Sequence, residues 1–582
     1  MATSTIAALL PLFLAGPLTA AALAAMSPWK VLRIALAFVV PIVGFAAGLS
    51  LMIYHWNHPA IAENVGGYAA GIAIPFASDS FSSLMITMTS IVCLVSVWFA
   101  TAVGEMNARF YPALVCMLMG GVYGAMSTAD LFNLFVCIEV MLLPSYALLA
   151  MTGTLQRLRA GRLFVLVNLI TSAVLVVGVT LTYATAGTSN LPALASAARG
   201  NGPVVVTGGL ILLALAIKAG LFPVHTWLPR TYPNTSPAVM ALFSGLHTKV
   251  AFYAIFRIYA VMFGLDDRWS WLILVICVAA MLVGSWAGLG ERTMRSVLAY
   301  QMVNGMPFML VGLAFVGHDP RRMLAAGVFY AVHHMTVIAS LALSIGSIEE
   351  TYGTGRLQRL SGLMRRDPLV AAVFVAGALS IVGLPPFSGV IGKLGVVMAV
   401  ASDYSVKSWI VLAAIVIAGM GALLSMLRLW REVFWGKPMN PQYVDRQLAV
   451  PVRFILPSAA MALMSAGLLV GAGPAISATN HAADSLLNVK AYQSAVLGDD
   501  AVGVANTGGA GLTGDSHDPA DVPDDMIVHH DDEDEHAAGD DHGAGEDNHA
   551  MGAGHATESG HHADSHQRHA SAMIAVTTGG QE

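Results

Sequence analysis

Residues 214–229 read Ala-Leu-Ala-Ile-Lys-Ala-Gly-Leu-Phe-Pro-Val-His-Thr-Trp-Leu-Pro. A lysine stands inside an apolar run, and a proline follows five residues later. A charge at the centre of a membrane helix costs roughly 2.5–3.5 kcal/mol on insertion scales, so a chain that keeps one has a use for it. Pro223 cannot donate to the carbonyl of Ala219, so the helix is expected to bend or open one turn beyond Lys218. Broken helices at membrane depth are tolerated where they line a polar cavity.

The rest of the chain has the same character. Of 582 residues, 56% are hydrophobic and 11% charged, whereas a soluble domain carries about 25% charged residues. The composition is that of an all-α polytopic membrane protein. Residues 1–498 hold 28 Lys and Arg against 16 Asp and Glu, and residues 499–582 hold 1 against 19. The net charge of −6 therefore averages two different segments. Cys93, Cys116, Cys137 and Cys277 lie singly in apolar runs, with no His or Cys at metal-ligand spacing, and read as small hydrophobes. No flavin, iron–sulfur or nucleotide motif is present, so no cofactor and no metal site is expected.

Apolar windows long enough to cross a hydrocarbon core of roughly 30 Å fall near 5–26, 32–54, 80–103, 111–127, 131–151, 163–186, 204–226, 237–263, 269–290, 295–316, 322–346, 368–399, 408–435 and 452–475. These are numbered spans 1–14. The first has no Lys or Arg before it, while Lys30 and Arg33 follow, which favours a retained helix over a cleaved signal. With the N-terminus outside, the loops left inside carry 18 basic residues and the opposite loops five, as the positive-inside rule requires. An even number of spans then places the C-terminus outside as well. Residues 1–478 form the membrane domain, and 483–582, rich in Gly, Ala, Asp and His, are expected to be a disordered acidic tail. Its eleven histidines suit a weak buffer for divalent ions or protons, or simply a solvated extension.

Three further charges share the setting of Lys218. Glu139 lies in Asp-Leu-Phe-Asn-Leu-Phe-Val-Cys-Ile-Glu-Val-Met-Leu-Leu-Pro-Ser-Tyr (130–146), about nine residues into span 5. At 1.5 Å per residue that is roughly 13 Å deep. A carboxylate alone there keeps its proton and ionises when a cation faces it, so movement of Glu139 relative to Lys218 switches that amine between holding and releasing a proton. Lys249 lies about twelve residues into span 8, which begins Asn-Thr-Ser-Pro-Ala with Pro237 at its first helical position. Tyr253 and Arg257 follow on its face; His247 points from another and reaches Lys249 through water. Span 12 contains Ile-Val-Gly-Leu-Pro-Pro-Phe-Ser-Gly-Val-Ile-Gly-Lys (381–393), where Pro385 and Pro386 predict a discontinuity just before Lys393. His333 and His334 of span 11 lie between the central and terminal lysines in sequence and extend the relay or make interhelical hydrogen bonds. Pairing merely to hold helices together does not suit Lys249 and Lys393, which have no acid at comparable depth.

At these residues the sequence resembles the antiporter-like membrane subunits shared by respiratory NADH:quinone oxidoreductase (complex I), membrane hydrogenases and the multisubunit Mrp-type sodium/proton antiporters. The resemblance covers residues 1–475 or so. It implies fourteen core helices, two inverted five-helix repeats (spans 4–8, about 111–263, and spans 9–13, about 269–435), and broken helices 7 and 12. By motif, Glu139 and Lys218 match the family's glutamate–lysine pair, Lys249 its central lysine and Lys393 its terminal exit residue. Ala-Asp-Leu-Phe-Asn-Leu-Phe-Val before Glu139, and a lysine at 393, are most similar to the D-type subunit of the Mrp antiporters. Phe-Tyr-Ala-Val-His-His-Met-Thr-Val-Ile-Ala (329–339) departs from the family in having Ile338 where a lysine is frequent, which shifts the route onto His334 and water. The expectation is a non-enzymatic, proton-translocating subunit of a cell-membrane cation (Na+)/proton antiporter. Its implied partners are other antiporter subunits, the lipid bilayer, H+ and Na+ or another monovalent cation, with no nucleic acid. The alternatives are a pump subunit of complex I or a membrane hydrogenase, and a scaffold that has lost transport.

Overall fold

Apolar runs with no water to satisfy their amides must close their backbone hydrogen bonds internally, and this chain does so as helix almost throughout. The computed structural model describes residues 2–66, 68, 73–151, 153–437, 439 and 448–498. Among these, eleven helices are long and apolar enough to cross a membrane. Tyr111–Ser127 and Gly202–Lys218 are shorter apolar helices, and Pro368–Val382 and Ser388–Ala401 are two halves of one crossing. Together they fall on all fourteen expected spans. An antiparallel hairpin, Ile61–Val65 with Ile74–Ser78, joins spans 2 and 3 and was not expected.

The breaks fall where proline and glycine dictate. Span 7 stops at Lys218 itself, a turn earlier than Pro223 alone would require, and resumes at Trp227–Thr231. Trp227 Nε1 donates to the Ile217 carbonyl at 3.0 Å, beside the Gly220 N–H that closes the last turn on the same oxygen, and so ties the resumed helix to the end of the first half. Span 12 stops at Val382, turns through Gly383 at φ +96°, and restarts at Ser388, so Lys393 lies five residues into the second half-helix.

Two helix pairs pack at the same register. Gly121 of span 4 lies against the backbone of Met141 in span 5, and Gly284 of span 9 lies against the backbone of Asn304 in span 10. Each glycine precedes its neighbour by 20 residues, and a Cβ at either position would meet main chain. By that register Glu139 corresponds to buried Met302, so span 10 has no acid to match. Every residue of span 8 (Pro237–Val261) is buried, and spans 10 and 11 are nearly as enclosed. These three helices form the interior, while spans 2, 6 and 13 turn apolar side chains outward.

The expectation of disorder from residue 483 is corrected in part. Ala472–Leu487 and Val489–Leu497 are helices, and Tyr492, Gln493 and Val496 are buried. Gln493 donates to the Pro192 carbonyl at 3.1 Å and Asn64 donates to that of Val496 at 3.2 Å. Their periodicity is amphipathic but weakly apolar, so composition read as polar tail what packing makes into a lid of short helices. The acidic, His-rich remainder of the tail lies outside the described residues.

Candidate functional site

Glu139 and Lys218 come together, but not in direct contact. Ser172 of span 6 stands between them: its hydroxyl donates to Glu139 Oε1 and accepts from Lys218 Nζ at 3.2 Å. Lys218 is 6% exposed. A hydroxyl that both donates and accepts couples a carboxylate to an ammonium without closing an ion pair, so a small displacement of span 5, 6 or 7 makes or breaks the link.

His247 does not face Lys249. Its Nε2 lies 2.8 Å from Ser145 Oγ of span 5, and its Nδ1 lies 3.5 Å from the Tyr232 hydroxyl. Ser145 itself donates to the Met141 carbonyl, which leaves it to accept from the imidazole. The ring is stacked on Phe243 at 4.4 Å. His247 thus belongs to the side of the Glu139 helix, between the first pair and the central lysine.

Lys249 is fully buried, at 0% exposure. Its Nζ lies 3.1 Å from Thr248 Oγ1, 3.7 Å from Met306 Sδ and 3.1 Å from His334 Nδ1. An imidazole and a hydroxyl are therefore its nearest partners. His333, the next residue back, points elsewhere: its Nδ1 lies 2.8 Å from Ser388 Oγ at the start of the second half of span 12. Among the described residues, both rings keep a buried Nε2 without a partner. Lys393 donates to the Val382 carbonyl at 2.7 Å, an acceptor exposed by the break, and its Nζ lies 5.4 Å from the Phe308 ring centroid. Neither Lys249 nor Lys393 is in an ion pair among the described residues.

Two features escaped the sequence. Asp79 caps span 3 by accepting from Ser82 N at 2.9 Å and also pairs with Arg257 of span 8 at 2.7 Å, with side chains 3% and 4% exposed. Burial alone would push the Asp79 carboxyl up; Arg257 overrides this and holds it below the usual carboxylate range. Arg257 also lies 4.7 Å from the Tyr492 ring, so the helix Val489–Leu497 closes over this pair. The cap was legible in Asp-Ser-Phe-Ser, but nothing in the order of residues links position 79 to 257. At the start of span 8, Glu105 accepts from Ser236 Oγ at 2.8 Å, the hydroxyl that caps the helix. Burial, reinforced by Glu350 and opposed by that hydrogen bond, pushes the Glu105 carboxyl up to about 7.

Fourteen spans, two of them broken beside a buried lysine, define a helical membrane protein of the class that secondary transporters use. The family model described as NADH:quinone oxidoreductase/Mrp antiporter, TM, matches residues 128–421, half of the chain, and the chain belongs to that family. It is 31% identical to the D-type subunit of the Na(+)/H(+) antiporter of Alkalihalophilus pseudofirmus over 440 residues, 74% of this chain and 87% of that one. It is similar to a chain of the Mrp complex from Dietzia sp., with a TM-score of 0.80 and 38% identity over 85% of this chain and 100% of that chain. A chain of respiratory complex I from Thermus thermophilus shares the fold alone, with a TM-score of 0.65 and 22% identity over 82% of this chain and 100% of that chain.

Proposed function

We propose that this chain is the proton-translocating subunit of a multisubunit monovalent cation/proton antiporter, Na+ being the cation by analogy with its relatives. It works beside other antiporter subunits in the cell membrane, with both termini outside, and exchanges external H+ for internal cation. Glu139, Ser172 and Lys218 form the switch, and Lys249 with His334 forms the central relay. His333 and Lys393 lead to the break in span 12, and His247 links the first pair to span 8. Water completes the steps that no side chain spans.

The observation that carries this reading is a buried amine beside each helix break, Lys218 held by a hydroxyl and Lys393 by a freed backbone carbonyl, and a third, Lys249, beside an imidazole, none of them in direct contact with a carboxylate. Such amines are poor structural glue and suit proton acceptance and release. The test is pH-gradient-driven cation exchange in vesicles holding the assembled complex. Glu139→Ala and Lys218→Ala each abolish exchange with assembly intact; full exchange in either variant overturns the reading.

A further inference from the structure

Buried serines in membrane helices usually return their proton to a carbonyl one turn back. Ser90, Ser96 and Ser145 do so, donating to Ile86, Val92 and Met141. Three serines around the break in span 12 do not. Ser388 Oγ lies 2.8 Å from Ser465 Oγ, and Ser465 Oγ lies 2.8 Å from Ser380 Oγ. The Ser388 hydroxyl is also 2.8 Å from His333 Nδ1. Ser380 and Ser388 are 0% exposed, and Ser465 and His333 are 1%. The file runs from span 11 to the second half of span 12, across to span 14, and back to the end of the first half. Ser380 is two residues from Val382, whose carbonyl holds Lys393. Span 14 lies outside both repeats, so its serine has no counterpart in the first.

We infer that His333, Ser388, Ser465 and Ser380 form a proton wire that carries protons to the break in span 12, with Ser465 as the link supplied by span 14. This rests on the proposed proton-translocating function. A proton arriving at the unpartnered Nε2 of His333 makes an imidazolium. Its Nδ1 proton passes to Ser388 Oγ, the Ser388 proton to Ser465 Oγ and the Ser465 proton to Ser380 Oγ. The Ser380 proton passes to a water molecule entering between the two half-helices, the acceptor this last step requires. Each hydroxyl gains one proton and loses one, no charge is left on the file, and His333 ends as the Nε2–H tautomer. Rotation of the ring and of the three hydroxyls restores the starting polarity. An unbroken file of groups that each donate and accept is what such transfer requires, and among the described residues these hydroxyls have no helix carbonyl holding their protons.

Ser465→Ala removes one oxygen and adds no bulk. In vesicles holding the assembled complex it lowers the exchange rate by about tenfold, the loss of one essential hydrogen bond. Ser465→Thr restores most of the rate. Ser380→Ala gives a similar loss, and the double variant loses no more than either single one, because one cut wire cannot be cut twice. A wild-type rate in Ser465→Ala, no rescue by threonine, or losses that multiply would overturn the wire. Should Ser465→Ala fail to assemble, the rate of Ser380→Ala decides by the same criterion. Loss of exchange in Glu139→Ala beside a wild-type rate in Ser465→Ala refutes the wire and leaves the function standing; retained exchange in Glu139→Ala removes both.

Discussion

Replacing Arg257 with methionine keeps the length of the side chain and strands Asp79 without its cation. Breaking a buried ion pair by removing one partner costs about 3–5 kcal/mol, because the remaining charge is left in low dielectric. Asp79 keeps its bond from Ser82 N, which limits the loss, while Arg257 gives up its contact with the Tyr492 ring, which adds to it. A net loss of about 4 kcal/mol is a shift of roughly a thousandfold in the unfolding equilibrium. In the wild type the Asp79 carboxyl is held below its ordinary 3.8. Its stabilising contribution is therefore fully present above that pH and is lost only as pH falls through the lowered value, so it is constant between pH 5 and pH 8. In the variant, burial without Arg257 favours the protonated carboxyl, so the deficit is larger at pH 8 than at pH 5. Asp79→Asn with Arg257→Met keeps an oxygen to cap span 3, removes the stranded charge, and recovers more than half of the loss. The assay is unfolding of the purified subunit in mixed detergent micelles at both pH values. A loss below about 1 kcal/mol in Arg257→Met, or a double variant that simply adds the single losses, would refute the reasoning.

Two further outcomes follow from other parts of the fold. The Glu105 carboxyl, raised from 4.5 to about 7, is protonated in the folded state while the unfolded chain has released its proton. Folding stability therefore falls as pH rises from about 4.5 to 7 and stays reduced above it, by up to roughly 3 kcal/mol. Glu105→Gln should melt higher than wild type at pH 8 and alike at pH 4 in thermal scans of the detergent-solubilised protein; an equal gain at both pH values would contradict the burial argument. Gly389 sits where a Cβ would run into the Ser380 carbonyl across the break in span 12. Gly389→Ala should lower the yield of assembled complex severalfold, because overpacking against backbone costs about 1–3 kcal/mol; normal assembly and exchange would show that the half-helices part freely.

The fold was legible because its signals are local. A run of twenty apolar residues can close its hydrogen bonds only on itself, and Pro223, Gly383, Pro385 and Pro386 lie at or within the breaks. Glu139, Lys218, Lys249 and Lys393 stood out because charge is costly in hydrocarbon. Their partners are another matter. Ser172, Ser388 and Met306 are common residues in membrane helices, and only the crossing of distant spans brings them to an amine or an imidazole. His247 shows the same limit: helical spacing put it correctly off the face of Lys249, yet its choice of Ser145 and Tyr232 depends on how span 5 and the broken span 7 pack. The helix at 489–497 was invisible because its few apolar residues gain their burial from Arg257 and from the hairpin strand at Asn64.

Lys249 offers the most direct test of proton translocation through this chain. It is wholly buried, has no carboxylate partner among the described residues, and lies 3.1 Å from the His334 imidazole. Methionine at this position keeps the length and apolar stem and removes only the titrating amine. In proteoliposomes holding the assembled complex under an imposed pH gradient, Lys249→Met should slow cation-coupled proton movement by on the order of a hundredfold or more, the scale expected for loss of a proton-transfer group, with subunit assembly unchanged. Exchange at the wild-type rate in that variant would contradict the account.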